Sequence, residues 1–253
     1  MRILITNDDG IRCTGLTVLE QIAAEISSDI WVIAPETDHS KGFSAPTIDK
    51  PMRLQDHGHQ RYSLDGTPAD CVIVGVRFLL LERSPSLLLC GVNRGENLAD
   101  DIYHAGTVAG SVQATLLGIP SISMSLVSEV HETEPKWDNP RKHGPKLLHM
   151  LLKKHWSRDV LLNVNFPDCA AEAVKGVVWT YQGKRESDCW SVKNVSSRDS
   201  LRQLCIERQE PKSPKNTDLW AVRSDRISVT PIRVDLTNQK SRVSLSKGEA
   251  RAA

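Results

Sequence analysis

An α/β fold, with a mostly parallel sheet covered by helices on both faces, is what this sequence predicts. Short aliphatic runs alternate with stretches of helical periodicity through the first half of the chain. Three unusual polar loops, residues 7–10, 38–44 and 93–107, fall where such runs end, and open sheets of this class bind ligands at the carboxyl ends of their strands. The chain has 253 residues, 40% hydrophobic and 25% charged. That suits one large core with an extension better than two domains.

The elements follow in order. Residues 2–6 read as a short buried strand. Residues 16–26 carry Leu16, Leu19, Ile22, Ala23 and Ile26 at helical spacing. Residues 30–34 form a second strand, closed by Pro35. Thr67-Pro68-Ala69-Asp70 starts a helix. Thr67 can cap it, Pro68 suits the first turn, and Asp70 sits where a capping box needs an acid. That helix is expected to reach about Leu81. Residues 87–92 form a strand, 108–117 a helix with Gly118 at its C-cap, and 119–126 a strand containing Pro120.

The second half is less regular. A helix is expected over 145–155 and strands over 160–166, 176–181 and 227–232. Residues 182–219 are polar and include Pro211 and Pro214, as in an excursion or exposed hairpin. The tail, 247–253, is small and polar and reads as disordered. The expected layout is one domain over 1–253, with the ligand-site core in 1–130 and the remaining strands plus the extension in 131–253.

Composition excludes several classes. The net charge is +1, from 32 Lys+Arg against 31 Asp+Glu, which does not favour binding to a nucleic-acid duplex. The apolar stretches at 72–81 and 87–92 are too short to span a bilayer. The first nine residues lack the long apolar run of a signal peptide. A soluble cytoplasmic protein is expected. The six cysteines form no Cys-x-x-Cys pair and read as scattered reduced thiols.

Asp8-Asp9 follows the first strand directly. Adjacent carboxylates at a strand end repel each other unless a cation or a proton relieves them. Carboxylate, hydroxyl and amide oxygens are hard ligands, suited to magnesium, manganese or calcium more than zinc. The same Asn-Asp-Asp-Gly is also ordinary turn chemistry. Asn93-Arg94-Gly95-Glu96-Asn97 adds amide oxygens just after another strand, and Gly106-Thr107 stands at a helix start, where free N–H groups favour phosphate. Ser40-Lys41-Gly42 offers a hydroxyl and a cation, or is simply a surface loop.

Taken together these stretches resemble the SurE family, stationary-phase survival proteins that act as nucleoside monophosphate phosphatases. The matching motifs are Ile3-Leu4-Ile5-Thr6-Asn7-Asp8-Asp9-Gly10, Val32-Ile33-Ala34-Pro35, Gly66-Thr67-Pro68-Ala69-Asp70-Cys71-Val72, Gly91-Val92-Asn93-Arg94-Gly95-Glu96-Asn97 and Gly106-Thr107-Val108-Ala109. Asn163-Val164-Asn165-Phe166-Pro167 and Ser228-Val229-Thr230-Pro231 match later in the chain. The resemblance implies a Rossmann-like three-layer core with a β-rich C-terminal extension, and one divalent cation (magnesium or manganese) on Asp8, Asp9, Ser40 and Asn93. It implies substrate contacts near Asn97, Gly106 and Thr107, and a homodimer or homotetramer built through the extension at 182–219. Lys41 is a further candidate for the phosphate.

The implied reaction is hydrolysis of nucleoside 5'-monophosphates by water that the cation activates. Asp9 is a candidate to assist that water and His104 a candidate proton donor to the leaving alkoxide. The chain departs from the family at His104-Ala105, where Tyr-Ser is common, at Gln113-Ala114, where Glu-Gly is usual, and at Tyr181, where a basic residue is frequent. The missing hydroxyl at Ala105 keeps open a nucleotide-binding regulatory protein with weak or lost catalysis. An aspartyl-phosphate mechanism needs a second acid two residues after the first, and Gly10 occupies that place. No Gly-x-Gly-x-x-Gly follows the first strand, which argues against a dinucleotide-dependent dehydrogenase.

Overall fold

The computed structural model describes residues 1–39, 45–128, 134–185, 190–196, 201–206, 213–238 and 241. In chain order the elements are β1 (Arg2–Thr6), α1 (Thr14–Ala24), β2 (Asp29–Pro35), β3 (Leu54–Asp56), β4 (Arg61–Leu64), α2 (Pro68–Val74), β5 (Leu87–Arg94) and α3 (Gly106–Leu116). Then come β6 (Ser121–Leu126), α4 (Asp138–Leu152), β7 (Val160–Phe166), β8 (Val177–Trp179), β9 (Trp190–Ser196), β10 (Leu201–Ile206), α5 (Asp218–Arg223) and β11 (Ile227–Arg233). Among the described residues, no helix is long and apolar enough to cross a membrane.

Nine strands share one sheet in the order β3-β4-β2-β1-β5-β6-β7-β11-β8. Pairing is parallel from β4 through β2, β1, β5 and β6 to β7. Antiparallel pairs join β3 to β4 and β11 to β7. The alternating strand and helix pattern therefore builds the expected mostly parallel α/β fold. Among the described residues, strands β9 and β10 pair only with each other, as an antiparallel hairpin inside the region that reads as an excursion.

The pleat of β1 explains the three layers. Ile3 and Ile5 pack in one core with Leu16, Leu19 and Ile22 of α1 and Leu147, Leu148 and Leu151 of α4. Leu4, pointing the other way, packs with Ile33, Leu88 and with Cys71 and Val72 of α2. Burial on both faces is why these strands read as continuous aliphatic runs rather than alternating ones. Gly15 lets α1 lie against β5: a Cβ there would stand 1.9 Å from the Val92 carbonyl oxygen.

The capping box at Thr67 and Asp70 is present, but α2 differs from its expected length. It is α-helical only to Val74 and continues as a π-helical turn over Gly75–Leu79. Gly75 lies tight against Leu4 and Ile33, where a Cβ would come within 2.6 Å of Ile33 Cδ1. Helix α4 begins at Asp138, earlier than the expected 145. Pro140 falls in its first turn, where no N–H partner is needed, and Pro145 is carried inside the helix. Strands β3 and β4 are too short and polar to have shown a period.

From β1 the chain moves outward to β2 and β4, then returns to β5 on the other side of β1. That reversal makes the carboxyl ends of β1 and β5 the switch point of the sheet, the place where such sheets take ligands.

Candidate metal centre

Both acids of the Asp8-Asp9 pair stand at this switch point, just after β1. Asp8 is 2% exposed. Its Oδ1 accepts a hydrogen bond from the Thr107 hydroxyl at 2.6 Å, and its carboxylate also receives the Thr107 backbone N–H. Thr107 belongs to the first turn of α3, whose N-cap residue is Ala105 and makes no side-chain cap. The carboxylate of Asp8 thus satisfies the helix end from a different part of the chain, and the helix dipole favours the negative charge. The hydroxyl missing at Ala105 leaves a methyl group that packs with Ile102, Val108 and Leu161.

Asp9 accepts from the Arg94 backbone N–H at 3.3 Å. Asn93 donates its Nδ2 to the Gly95 carbonyl at 2.8 Å, which leaves Oδ1 as the end of the amide suited to a cation. The third loop approaches through the His39 N–H, which donates to the Asp8 carbonyl at 2.7 Å. Asp38 adds negative charge felt by both acids. Ser40 and Lys41 lie outside the described residues.

Burial is the largest force on both carboxyls. It raises Asp8, against the lowering effect of the Thr107 hydrogen bonds. It raises Asp9 to about 7, and the charge of Asp8 is the next cause. Two adjacent buried acids that resist ionisation fit a divalent cation, which would relieve both burial and repulsion. The donors available are two carboxylates and an amide oxygen, a hard set. Among the described residues no group of three or more His, Cys, Asp or Glu side chains is arranged to hold a metal.

Asn97 is buried on a ladder of amides that sequence reasoning did not assign a role. Its N–H donates to Asn165 Oδ1 at 2.9 Å, and its carbonyl accepts from Asn163 Nδ2 at 2.8 Å and Asn165 Nδ2 at 3.0 Å. Its own Nδ2 donates to Ser125 Oγ at 2.8 Å, so one of its two amide hydrogens is already engaged. The signal was present in the sequence: two asparagines on an otherwise aliphatic strand can be buried only if their amides are paired.

Gly106 opens α3 beside Thr107, whose hydroxyl is taken up by Asp8. His104 is exposed, at the end of the 3-10 turn Ala99–Tyr103. Tyr181 is half exposed and donates its hydroxyl to the Lys215 carbonyl at 2.9 Å, away from the acids' own contacts.

Comparison with known proteins gives a consistent result. The model of the family described as Survival protein SurE matches residues 3–188. A protein named 5'-nucleotidase SurE from Brucella anthropi is 44% identical over 251 residues, which covers 97% of this chain and 96% of that one. Another of that name, from Methylobacterium nodulans, is 43% identical over 242 residues, 94% of this chain and 96% of the relative. The crystal structure of the SurE protein from Aquifex aeolicus superimposes with a TM-score of 0.87 at 31% identity, covering 98% of this chain and all 100% of that one.

Proposed function

Because this chain belongs to the SurE family, we propose that it is a metal-dependent 5'-nucleotidase that converts nucleoside 5'-monophosphates to nucleoside and inorganic phosphate. The observation that carries this reading is the buried Asp8-Asp9 pair at the switch point of the sheet, both carboxyls held above their ordinary range. Asp8, Asp9 and the Asn93 amide oxygen would hold one divalent cation, magnesium or manganese, with the Ser40 hydroxyl as the fourth donor that the family resemblance implies. When bound, such a cation neutralises charge on phosphoryl oxygens and acidifies water.

The chain's own groups do the rest. Thr107 fixes the orientation of Asp8. Asp9, beside the attacking water, is the candidate group to take its proton. The Gly106 N–H at the start of α3, the free amide hydrogen of Asn97, and Lys41 would orient the phosphate. His104 stands as the candidate donor to the leaving alkoxide. Phosphoryl transfer asks chiefly for such positioning and electrostatics.

Asp8→Asn is expected to lower phosphate release from nucleoside monophosphates by at least about a hundredfold while the fold persists by circular dichroism. Wild-type turnover in that variant would sink the ligand assignment. EDTA is expected to silence the protein, and added manganese or magnesium to restore it.

Ala105 favours a second reading, a nucleotide-binding regulator with weak or lost catalysis. Nucleotide binding by calorimetry without phosphate release, across several metals, would establish it. A homodimer or homotetramer through the β9–β10 hairpin fits the exposed Val192 and Leu204 on that element. A cytoplasmic setting fits the five described cysteines, all unpaired; Cys189 lies outside the described residues.

A further inference from the structure

The loop between Asn97 and α3 is held by residues that arrive late in the chain. Ala99 adopts φ 50°, a left-handed conformation that is costly for a residue with a Cβ. Both of its backbone polar groups are tied to the C-terminal half. Its N–H donates to Asp218 Oδ2 at 2.8 Å, and its carbonyl accepts from Gln182 Nε2 at 3.1 Å. Asp218 in turn accepts the Gly183 N–H on Oδ1 at 2.8 Å.

Arg185 completes the attachment. Its side chain is 8% exposed. Its NH2 group donates to Glu96 Oε1 at 2.7 Å and to Asp101 Oδ2 at 2.5 Å, and Nε donates to Asp101 Oδ1 at 3.3 Å. Its backbone N–H donates to Asp100 Oδ2 at 2.9 Å. One guanidinium therefore bridges the two ends of the 96–101 segment. Asn97 lies inside that segment, and α3 starts at Gly106, after the 3-10 turn Ala99–Tyr103 in which the segment ends.

We propose that Arg185 is a positioning residue of the phosphate-binding side of the site, a role that rests on the nucleotidase reading above. Its planar fork fixes Glu96 relative to Asp101, and so fixes the height at which Asn97 presents its remaining side-chain amide hydrogen and Gly106 its N–H. It also neutralises acids that would otherwise repel a dianionic phosphate ester. Lysine carries the charge but cannot span two carboxylates with a rigid fork. The hydrogen bonds and ion pairs of Arg185 run to Glu96, Asp100 and Asp101 and not to Asp8, Asp9 or Asn93, so metal affinity serves as the control.

The test uses the full-length protein with manganese and a nucleoside monophosphate. Arg185→Lys is expected to raise KM about tenfold or more, in line with the cost of small misplacements in a binding site. The kcat is expected to change far less, and the manganese affinity measured by calorimetry to stay at the wild-type value. The triple variant Arg185→Met with Glu96→Gln and Asp101→Asn removes the charges together, and so avoids the unpaired buried acids that would unfold a single deletion. It is expected to melt near the wild-type temperature yet keep the raised KM.

A wild-type KM in Arg185→Lys would overturn the proposal. So would a triple variant that recovers KM together with stability, since Arg185 would then serve only charge balance. If Arg185→Lys fails to fold, the triple variant decides alone. The underlying reading fails separately, in the same assay, if the wild-type protein releases no phosphate or Asp8→Asn releases as much.

Discussion

Asp9 is the residue whose environment most clearly predicts a pH response. In the metal-free protein its carboxyl is raised from 3.8 to about 7, first by burial and then by Asp8. A folded-state pKa above the unfolded value means that the folded chain holds the proton more tightly. The resulting stability is complete below about pH 4 and is lost as the pH rises through about 7. Chelated protein is expected to melt a few degrees higher near pH 5 than near pH 8, and Asp9→Asn to flatten that difference. A pH profile unchanged by the substitution would show that another group governs it.

The sequence made the acids legible because they are adjacent and follow an aliphatic strand. It could not show what holds them. Thr107 reaches Asp8 across 99 residues, and no local pattern encodes that meeting. A helix start marks Thr107 as a phosphate contact because such ends attract anions, and its hydroxyl also meets the protein's own Asp8. Arg185 lies in a polar stretch with no pattern to mark it, since its role comes from Glu96 and Asp101, which the fold brings to it.

At the scale of elements, the site depends on how α1 and α3 approach the strand ends. Gly15 brings α1 onto β5, two residues before the end of which Val92 precedes Asn93. Gly15→Ala would drive a methyl group against the Val92 carbonyl oxygen. Such overpacking costs about 1–3 kcal/mol, and it is expected to lower the melting temperature and weaken manganese binding together. Normal metal affinity in a destabilised Gly15→Ala protein would separate the helix from the site. The elements themselves were legible where one periodicity ran uninterrupted, as in β1, α1 and α3. They were not where prolines disguised the start of α4, or where Gly75, pressed against Ile33, marks the change of α2 to a π-helical turn.

For the whole molecule, cation binding should be visible as stability, since only the folded chain brings Asp8, Asp9 and Asn93 together. At a hundredfold excess over the dissociation constant the gain is about 2.7 kcal/mol. For a domain of this size that corresponds to a rise of roughly 5–10 °C in melting temperature. Manganese is expected to produce it in the wild-type protein and not in Asp8→Asn; an equal rise in both would place the ion elsewhere. The sheet order was legible only in part. Alternation of strands and helices implied a parallel centre, while the return from β4 to β5 beside β1 is a long-range event that no window of sequence contains.

The hydrogen bond between Ala99 and Asp218 joins residues 119 positions apart. A ribosome therefore finishes the acid pair, Asn97 and the start of α3 long before it makes the residue that pins Ala99. Until Gln182 and then Asp218 are made, the left-handed turn at Ala99 lacks both of its ties, and the growing chain carries the ingredients of a nucleotidase without their full arrangement. A copy ended before Asp218 is thus expected to show a raised KM or no phosphate release, measured beside the full chain.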